Sequence, residues 1–452
     1  MCAVLVATAS ISPGISAATL RQSGSADASS SIQNAARLVQ QGRLDEAEVQ
    51  ARQGLSDPST RAIANSVLGT ISFQRHQLDE SVIFFKKAIQ LDDRLVGAHL
   101  SLAQVYALQG KPALALESLE RALALDSSKV PRDLLIAVGA RLATQGAASQ
   151  AIGLLERARA MGPPSFELSF NLAGAYLLND DPARALETYD AALALNPDSV
   201  PTLQQAAMVA ERRGELERSL AYWMRAKKIT PDDPAILLGF GRVCLRMDLL
   251  EDADGALVKA AGLKPNEATY QYTLAAAKVG KRQFEEAQRL IERLVKTKPA
   301  DPQLQYALGS ILYLEGHLPD AATHLRESLR LQPEQLASHY YLALVLRDQG
   351  NDAEAIGTLE TLLQRFPDHA ASSEALGGML MTAQRYDEAE RRLRDAIRVN
   401  PKLVKANYQL GLLLARTGRK DEADRQLALA KSLREEDAAT SRLQLRLLDP
   451  GQ

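Results

Sequence analysis

The sequence predicts an all-α protein assembled from tandem helix-turn-helix units. Three observations carry this reading. Prolines recur at Pro163, Pro197, Pro231, Pro265, Pro299, Pro333, Pro367 and Pro401, each 34 residues after the last. Small residues hold two fixed places within that period. The composition, 46% hydrophobic but only 5% aromatic, suits helices built largely from Ala and Leu and is too apolar for disorder.

The stretch "ALALNPDS", residues 192–199, shows what each proline does. Proline lacks the amide hydrogen and its ring clashes with the preceding turn, so the apolar run stops at Asn196-Pro197 and a new helix follows. Counting two residues beyond each proline gives segments beginning at 28, 62, 96, 132, 166, 200, 234, 268, 302, 336, 370 and 404, in step except for two extra residues before 132. The eighth position is Ala or Gly in every segment, from Ala35 and Gly69 to Gly377 and Gly411. The twentieth is Ala or Ser, from Ala47 and Ser81 to Ala389 and Ala423. The seventh is mostly Leu, and the twenty-fourth is bulky from Phe85 through Tyr189 and Trp223 to Leu427. One small residue on each half-unit lets two helix backbones approach, and large side chains fill the space around the crossing.

Within the segment from 166, the first apolar run ends at Asn179-Asp180. Asp181 is placed to cap the second helix, and Pro182 sits at a first-turn position where its missing amide costs nothing. A helix-turn-helix unit with small residues at eight and twenty and proline at thirty-two resembles the tetratricopeptide repeat family over residues 28–435. The resemblance implies a right-handed superhelical solenoid of twelve repeats, completing more than one superhelical turn, with a concave groove that holds peptides or protein segments. The family's Trp position departs from the pattern, holding Asn65, His99, Ser169, Gln271 and Asn407, while the single tryptophan, Trp223, falls on a second helix. The first repeat is weak, with Gly54 and an early Pro58, as a terminal unit can be. Residues 436–452, with Leu443, Leu445 and Leu447 or Leu448, read as a C-terminal capping helix and tail.

A net charge of −2, from 53 basic and 55 acidic residues, gives no global field toward nucleic acid or an anionic membrane. Two cysteines, Cys2 and Cys244, are too few for a disulfide framework, and the six histidines never take a metal-ligand spacing, so they read as scattered surface residues and no metal or cofactor is expected. The first twenty residues carry no charge, and their apolar run, Pro13-Gly14 and Ser16-Ala17-Ala18 resemble the later parts of a signal peptide whose basic start lies upstream of Met1. Residues 21–31 read as a flexible linker, so residues 1–27 stand apart from the repeats. The expectation is export to a bacterial envelope compartment, with an uncleaved cytosolic N-terminus as the alternative.

Helix geometry selects the groove-facing residues. If positions 4, 8 and 11 of a first helix face its partner, positions 2, 5, 9 and 12 lie on the adjacent face. That face predicts Phe170, Tyr272, Tyr306, Tyr340 and Tyr408 at position 5, Tyr313 and Met381 at position 12, and Leu344 at position 9. The tyrosines then form a ladder suited to hot-spot contacts, unless they serve only to pack neighbouring helices. Arg212, Arg242 and Arg246 form a second group, able to clamp a carboxylate or to pair with nearby acids. The two-carboxylate clamp of some relatives is not carried over, because only Asn171 matches it.

Twelve repeats leave too little chain for a catalytic domain, and there is no phosphate loop or nucleophile elbow. The expected function is a non-catalytic scaffold binding a peptide or protein segment. The alternatives are a structural component of an envelope or polysaccharide-export assembly and a cytosolic regulator.

Overall fold

The computed structural model describes residues 26–437, and all regular structure there is helical. The signal-like run before residue 26 and the leucines assigned to a capping helix beyond residue 437 lie outside the described residues. The chain divides into two compact units between Ile229 and Thr230.

The first unit holds α1 (Ala26–Gln40), α2 (Leu44–Gln53), α3 (Arg61–Gln74), α4 (Leu78–Leu91), α5 (Val96–Leu108), α6 (Pro112–Asp126), α7 (Arg132–Thr144), α8 (Ala148–Ala160), α9 (Phe166–Leu178), α10 (Pro182–Leu195), α11 (Val200–Arg212) and α12 (Leu216–Ile229). The second holds α13 (Pro234–Arg246), α14 (Leu250–Leu263), α15 (Ala268–Gly280), α16 (Phe284–Thr297), α17 (Pro302–Leu314), α18 (Leu318–Leu331), α19 (Leu336–Asp348), α20 (Asp352–Arg365), α21 (Ala370–Thr382), α22 (Tyr386–Val399), α23 (Val404–Arg416) and α24 (Lys420–Asp437). Within each unit, odd-numbered helices pack against the even-numbered helix that follows, and each pair packs on the next.

The crossing inside a pair is set by its small residues. Ala47, Ala115, Ala185, Ala321 and Ala389 are each 0% exposed, and so are Phe85, Leu119, Leu257 and Leu393, four of the bulky residues one turn on. Where Ser replaces Ala on the second helix, its hydroxyl finds the facing backbone: Ser81 Oγ donates to the Gly69 carbonyl at 2.8 Å, and Ser219 Oγ to that of Ala207 at 2.8 Å. A buried hydroxyl is thereby satisfied without widening the contact.

Each pair turns through one left-handed residue. Gly42, Gly110, Gly146, Gly214, Gly316, Gly350 and Gly418 have positive φ, and His76, Asp180, Asp248, Arg282 and Gln384 adopt the same conformation at the equivalent place. The following amide then reaches back to close the first helix, as in Asn351 N to Leu346 O at 2.8 Å and Arg385 N to Leu380 O at 2.9 Å. Side-chain caps start several helices. Asp181 Oδ1 accepts from Arg184 N at 3.0 Å ahead of Pro182, and Asp301 Oδ1 from Gln303 N at 2.9 Å ahead of Pro302.

Residues 26–31 belong to α1 and are not linker. Ile32, Ala35, Leu38 and Val39 form a buried stripe that carries the helix back toward its N-terminus. Gly54 is also explained, since a Cβ there would run into Ile32. The two extra residues before 132 form a 3-10 turn, Ser127–Lys129, started by Asp126, whose carboxylate accepts from Ser128 N at 3.1 Å. Arg132 ties the next unit down by donating to the carbonyls of Ala158 at 2.7 Å and Pro163 at 2.6 Å.

The histidines are not all on the surface. His99 is 6% exposed, with Nε2 3.1 Å from the Asp93 carbonyl oxygen, and half-buried His324 places Nδ1 2.7 Å from Gln305 Oε1. Burial lowers the pKa of both, so each packs as a neutral ring.

Candidate functional site

In the second unit, first helices α15, α17 and α19 bring five tyrosines together. Tyr341 is the hub. Its ring centroid lies 5.9 Å from Tyr306, 6.0 Å from Tyr313 and 5.5 Å from Tyr340, and Tyr340 in turn lies 5.8 Å from His369. Most of these pairs meet edge to face, the arrangement favoured by the ring quadrupole. Tyr272, Tyr313, Tyr340 and Tyr341 are half-buried, so the cluster presents an aromatic face on a packed base.

A directed hydrogen-bond chain fixes one side of this face. Ser338 Oγ donates to Gln335 Oε1 at 2.9 Å, as does the hydroxyl of Ser328. Gln335 Nε2 donates to Gln303 Oε1 at 2.9 Å, and Gln303 Nε2 to Tyr272 Oη at 2.6 Å. On the other side, Tyr313 Oη donates to Asp348 Oδ2 at 3.0 Å and Arg347 Nε to Asp348 Oδ1 at 2.8 Å. Burial works against the Asp348 charge, but the Arg347 bond and charge and the Tyr313 hydroxyl hold its carboxyl below the ordinary range. Burial pushes Tyr272 and Tyr340 up to about 12 and raises Tyr306, Tyr313 and Tyr341 as well, so all five rings stay neutral donors.

The residues expected to line the groove divide by environment. Tyr272, Tyr313 and Tyr340 lie on the aromatic face, and Tyr408 is 51% exposed on α23. Phe170 and Tyr306 are a correction, for each is 1% exposed. Phe170 packs between Phe166 at 6.0 Å and Tyr189 at 5.9 Å, and Tyr306 against the first helix of the following pair. Leu344 and Met381 are also buried, at 9% and 7% exposure, and act through packing. At Phe170 and Tyr306 the position-5 ring wedges inward between neighbouring helices, whereas Tyr408 at the same position of α23 stays exposed.

In the first unit, exposed Arg212 pairs with Asp180 at 3.2 Å. In the second, Arg242 is half-buried and Arg246 exposed on α13. Asn171 is 1% exposed and so is not offered to a ligand. Position-based reasoning missed Tyr341, Gln303, Gln335, Arg347 and Asp348. The signal for Tyr341 was the doublet Tyr340-Tyr341, whose second ring falls toward the middle of the solvent-facing side. Among the described residues, no three His, Cys, Asp or Glu side chains converge in a way that could hold a metal ion.

Family models described as tetratricopeptide repeat match residues 272–335, 315–370, 340–390 and 375–432 with one form, 142–211 with a second, and 29–53 and 96–121 with a third. No curated protein matches the sequence. Among solved structures, yeast Tom70 is 15% identical with a TM-score of 0.42, over 92% of this chain and 97% of that one. A tetratricopeptide repeat protein from Parabacteroides merdae is 16% identical with a TM-score of 0.47, over 55% of this chain and 98% of that one. YrrB, described as having an unusual peptide-binding site, is 21% identical with a TM-score of 0.37, over 41% of this chain and 95% of that one.

Proposed function

The chain belongs to the tetratricopeptide repeat family, and from that premise we propose that it is a non-catalytic scaffold that holds a segment of a protein partner against the tyrosine face of its second unit. One observation carries the reading. Four half-buried tyrosines from three consecutive first helices form one aromatic surface around Tyr341, held by the Ser338-Gln335-Gln303-Tyr272 chain and by Arg347-Asp348. Tyrosine joins a large ring to a polar tip and loses little rotamer freedom on binding, which is why it dominates protein-binding hot spots. A face pre-organised in this way saves the ordering cost a flexible surface incurs.

Selection of random peptides displayed on phage against the full chain tests this. Selected peptides should bind the Tyr340→Ala and Tyr341→Ala proteins at least about tenfold more weakly than the unmodified protein, with helicity by circular dichroism retained. Peptides that bind all three proteins alike would place the binding surface elsewhere.

The same reading puts the protein in a bacterial envelope compartment, supported by the uncharged apolar run before Arg21. No described helix is long and apolar enough to cross a membrane. N-terminal sequencing of the protein from its native source tests export: a chain that retains Met1 contradicts it.

A further inference from the structure

Two buried oxygens on α21 and α23, Glu374 Oε1 and Gln409 Oε1, accept no hydrogen bond among the described residues. Glu374 is 5% exposed. Burial first, and then the Glu374 charge, raise the Tyr340 pKa, so this carboxylate adjoins the tyrosine face. Lys405 Nζ stands 2.8 Å from Glu374 Oε1 as an ion pair, out of line for a hydrogen bond, and its side chain is 58% exposed. Gly378 lies one helical turn beyond Glu374, and Gln409 one turn beyond Lys405. A Cβ on Gly378 would meet Gln409 Nε2 at 2.7 Å, so the amide lies against the bare glycine and its oxygen belongs to the same seam. A buried carboxylate oxygen that has an ion pair but no hydrogen bond gains from a better-aimed donor.

Resting on the tyrosine face as the binding surface, we propose that the segment held there inserts an arginine side chain at Glu374, displacing Lys405. Charge and shape both select this occupant. A guanidinium presents five donors in a planar fork, enough to serve the carboxylate from two nitrogens and still reach a second acceptor such as Gln409 Oε1. The flat cation also stacks on aromatic rings, and Tyr340 and Tyr408 stand on α19 and α23, the first helices before and after α21. The exposed Lys405 regains rotamer freedom on leaving, which keeps the cost of the exchange low. An acidic side chain would be repelled by Glu374, and a neutral one would leave Lys405 in place.

Fluorescence anisotropy with the full chain and two labelled probes tests the proposal: hexaarginine, and hexacitrulline, which keeps the shape and removes the charge. Hexaarginine should bind at least about tenfold more tightly. Glu374→Gln should weaken hexaarginine binding about tenfold, whereas Glu187→Gln, at an exposed acid on α10 of the first unit, should leave it unchanged. Lys405→Ala should tighten it about threefold by removing the competing cation, and this change at an exposed side chain decides the matter should Glu374→Gln fail to fold. Equal effects of Glu374→Gln and Glu187→Gln, or weaker binding by Lys405→Ala, would overturn the arginine site. Phage-selected peptides that require Tyr341 but are indifferent to Glu374→Gln would overturn it too, and would leave the tyrosine face as a binding surface. If neither Tyr341→Ala nor Glu374→Gln weakens hexaarginine or any selected peptide, both readings fall.

Discussion

The backbone of Gly309 rests on the side chain of Leu325, sixteen residues later: a Cβ built on Gly309 would lie 2.8 Å from Leu325 Cγ and 3.1 Å from the Ala321 carbonyl oxygen. One neighbour there is backbone and cannot swing aside, so Gly309→Ala forces the two helices of the pair apart. Overpacking of this kind outweighs the helix propensity gained, and a net loss of about 1 kcal/mol or more is expected in urea unfolding. Gly357, on α20 with nothing within 4 Å of an added Cβ, is the control. Gly357→Ala should stabilise by about 0.5–1 kcal/mol. Equal effects at the two sites would contradict the close-contact account.

Gln384 occupies the left-handed turn position, at φ 61°, that Gly350 fills one repeat earlier at φ 80°. A side chain in that region costs about 1–2 kcal/mol, partly offset by the entropy glycine gives up on folding. Gln384→Gly should therefore raise stability by about 0.5–1 kcal/mol, and Gly350→Ala should lower it by a similar amount. The midpoints of paired thermal melts check both, and a fall for Gln384→Gly would show that its side chain contributes more than the strain it carries.

These two relationships mark what could and could not be read from the chain alone. The helical fold was legible because proline, small residues and bulky residues recur at fixed spacings, and each has one physical use at a helix crossing or helix end. The left-handed turn was hidden, because five of its positions are His76, Asp180, Asp248, Arg282 and Gln384, among which only the two aspartates are alike. The tyrosine face was half legible. Assigning faces to one helix at a time finds Tyr272, Tyr313 and Tyr340 but cannot see that Tyr306 and Phe170 are sealed by rings from neighbouring turns and helices. Tyr341 emerges as the hub only once α17 and α19 stand side by side.

Lys278 is largely buried on α15, with Nζ 2.9 Å from Asp254 Oδ1 and 3.2 Å from Glu286 Oε2, while Lys281 Nζ reaches Asp254 Oδ2 at 2.9 Å. Burial penalises the Asp254 charge, but the two lysines outweigh it and hold the carboxyl below its ordinary value. A carboxyl depressed in the folded state stabilises above its unfolded pKa, and that contribution is lost as pH falls through the folded value. Lys278→Ala leaves Asp254 buried with one cation fewer and should cost about 3 kcal/mol at pH 7. The cost should shrink as acid neutralises Asp254. Urea unfolding of both proteins between pH 7 and pH 3 checks this, and a penalty independent of pH would point to lost packing.

Glu315 shows the opposite sign. Its Oε2 is buried without a hydrogen-bond partner among the described residues, and His317 Nδ1 lies 3.9 Å away. Burial, opposed by His317 and reinforced by Glu285 and Glu292 on α16, raises its pKa above the ordinary 4.5. The folded state therefore holds this proton more tightly than the unfolded chain does. Ionisation destabilises the fold above the raised pKa, and the penalty fades as pH falls below the unfolded value. Glu315→Gln removes the charge, keeps the shape and should stabilise by about 1 kcal/mol at pH 7 and above. Near pH 4 the two proteins should unfold at the same urea concentration. A stabilisation that persists undiminished in acid would mean that the gain comes from the new amide's hydrogen bonds and not from the lost charge.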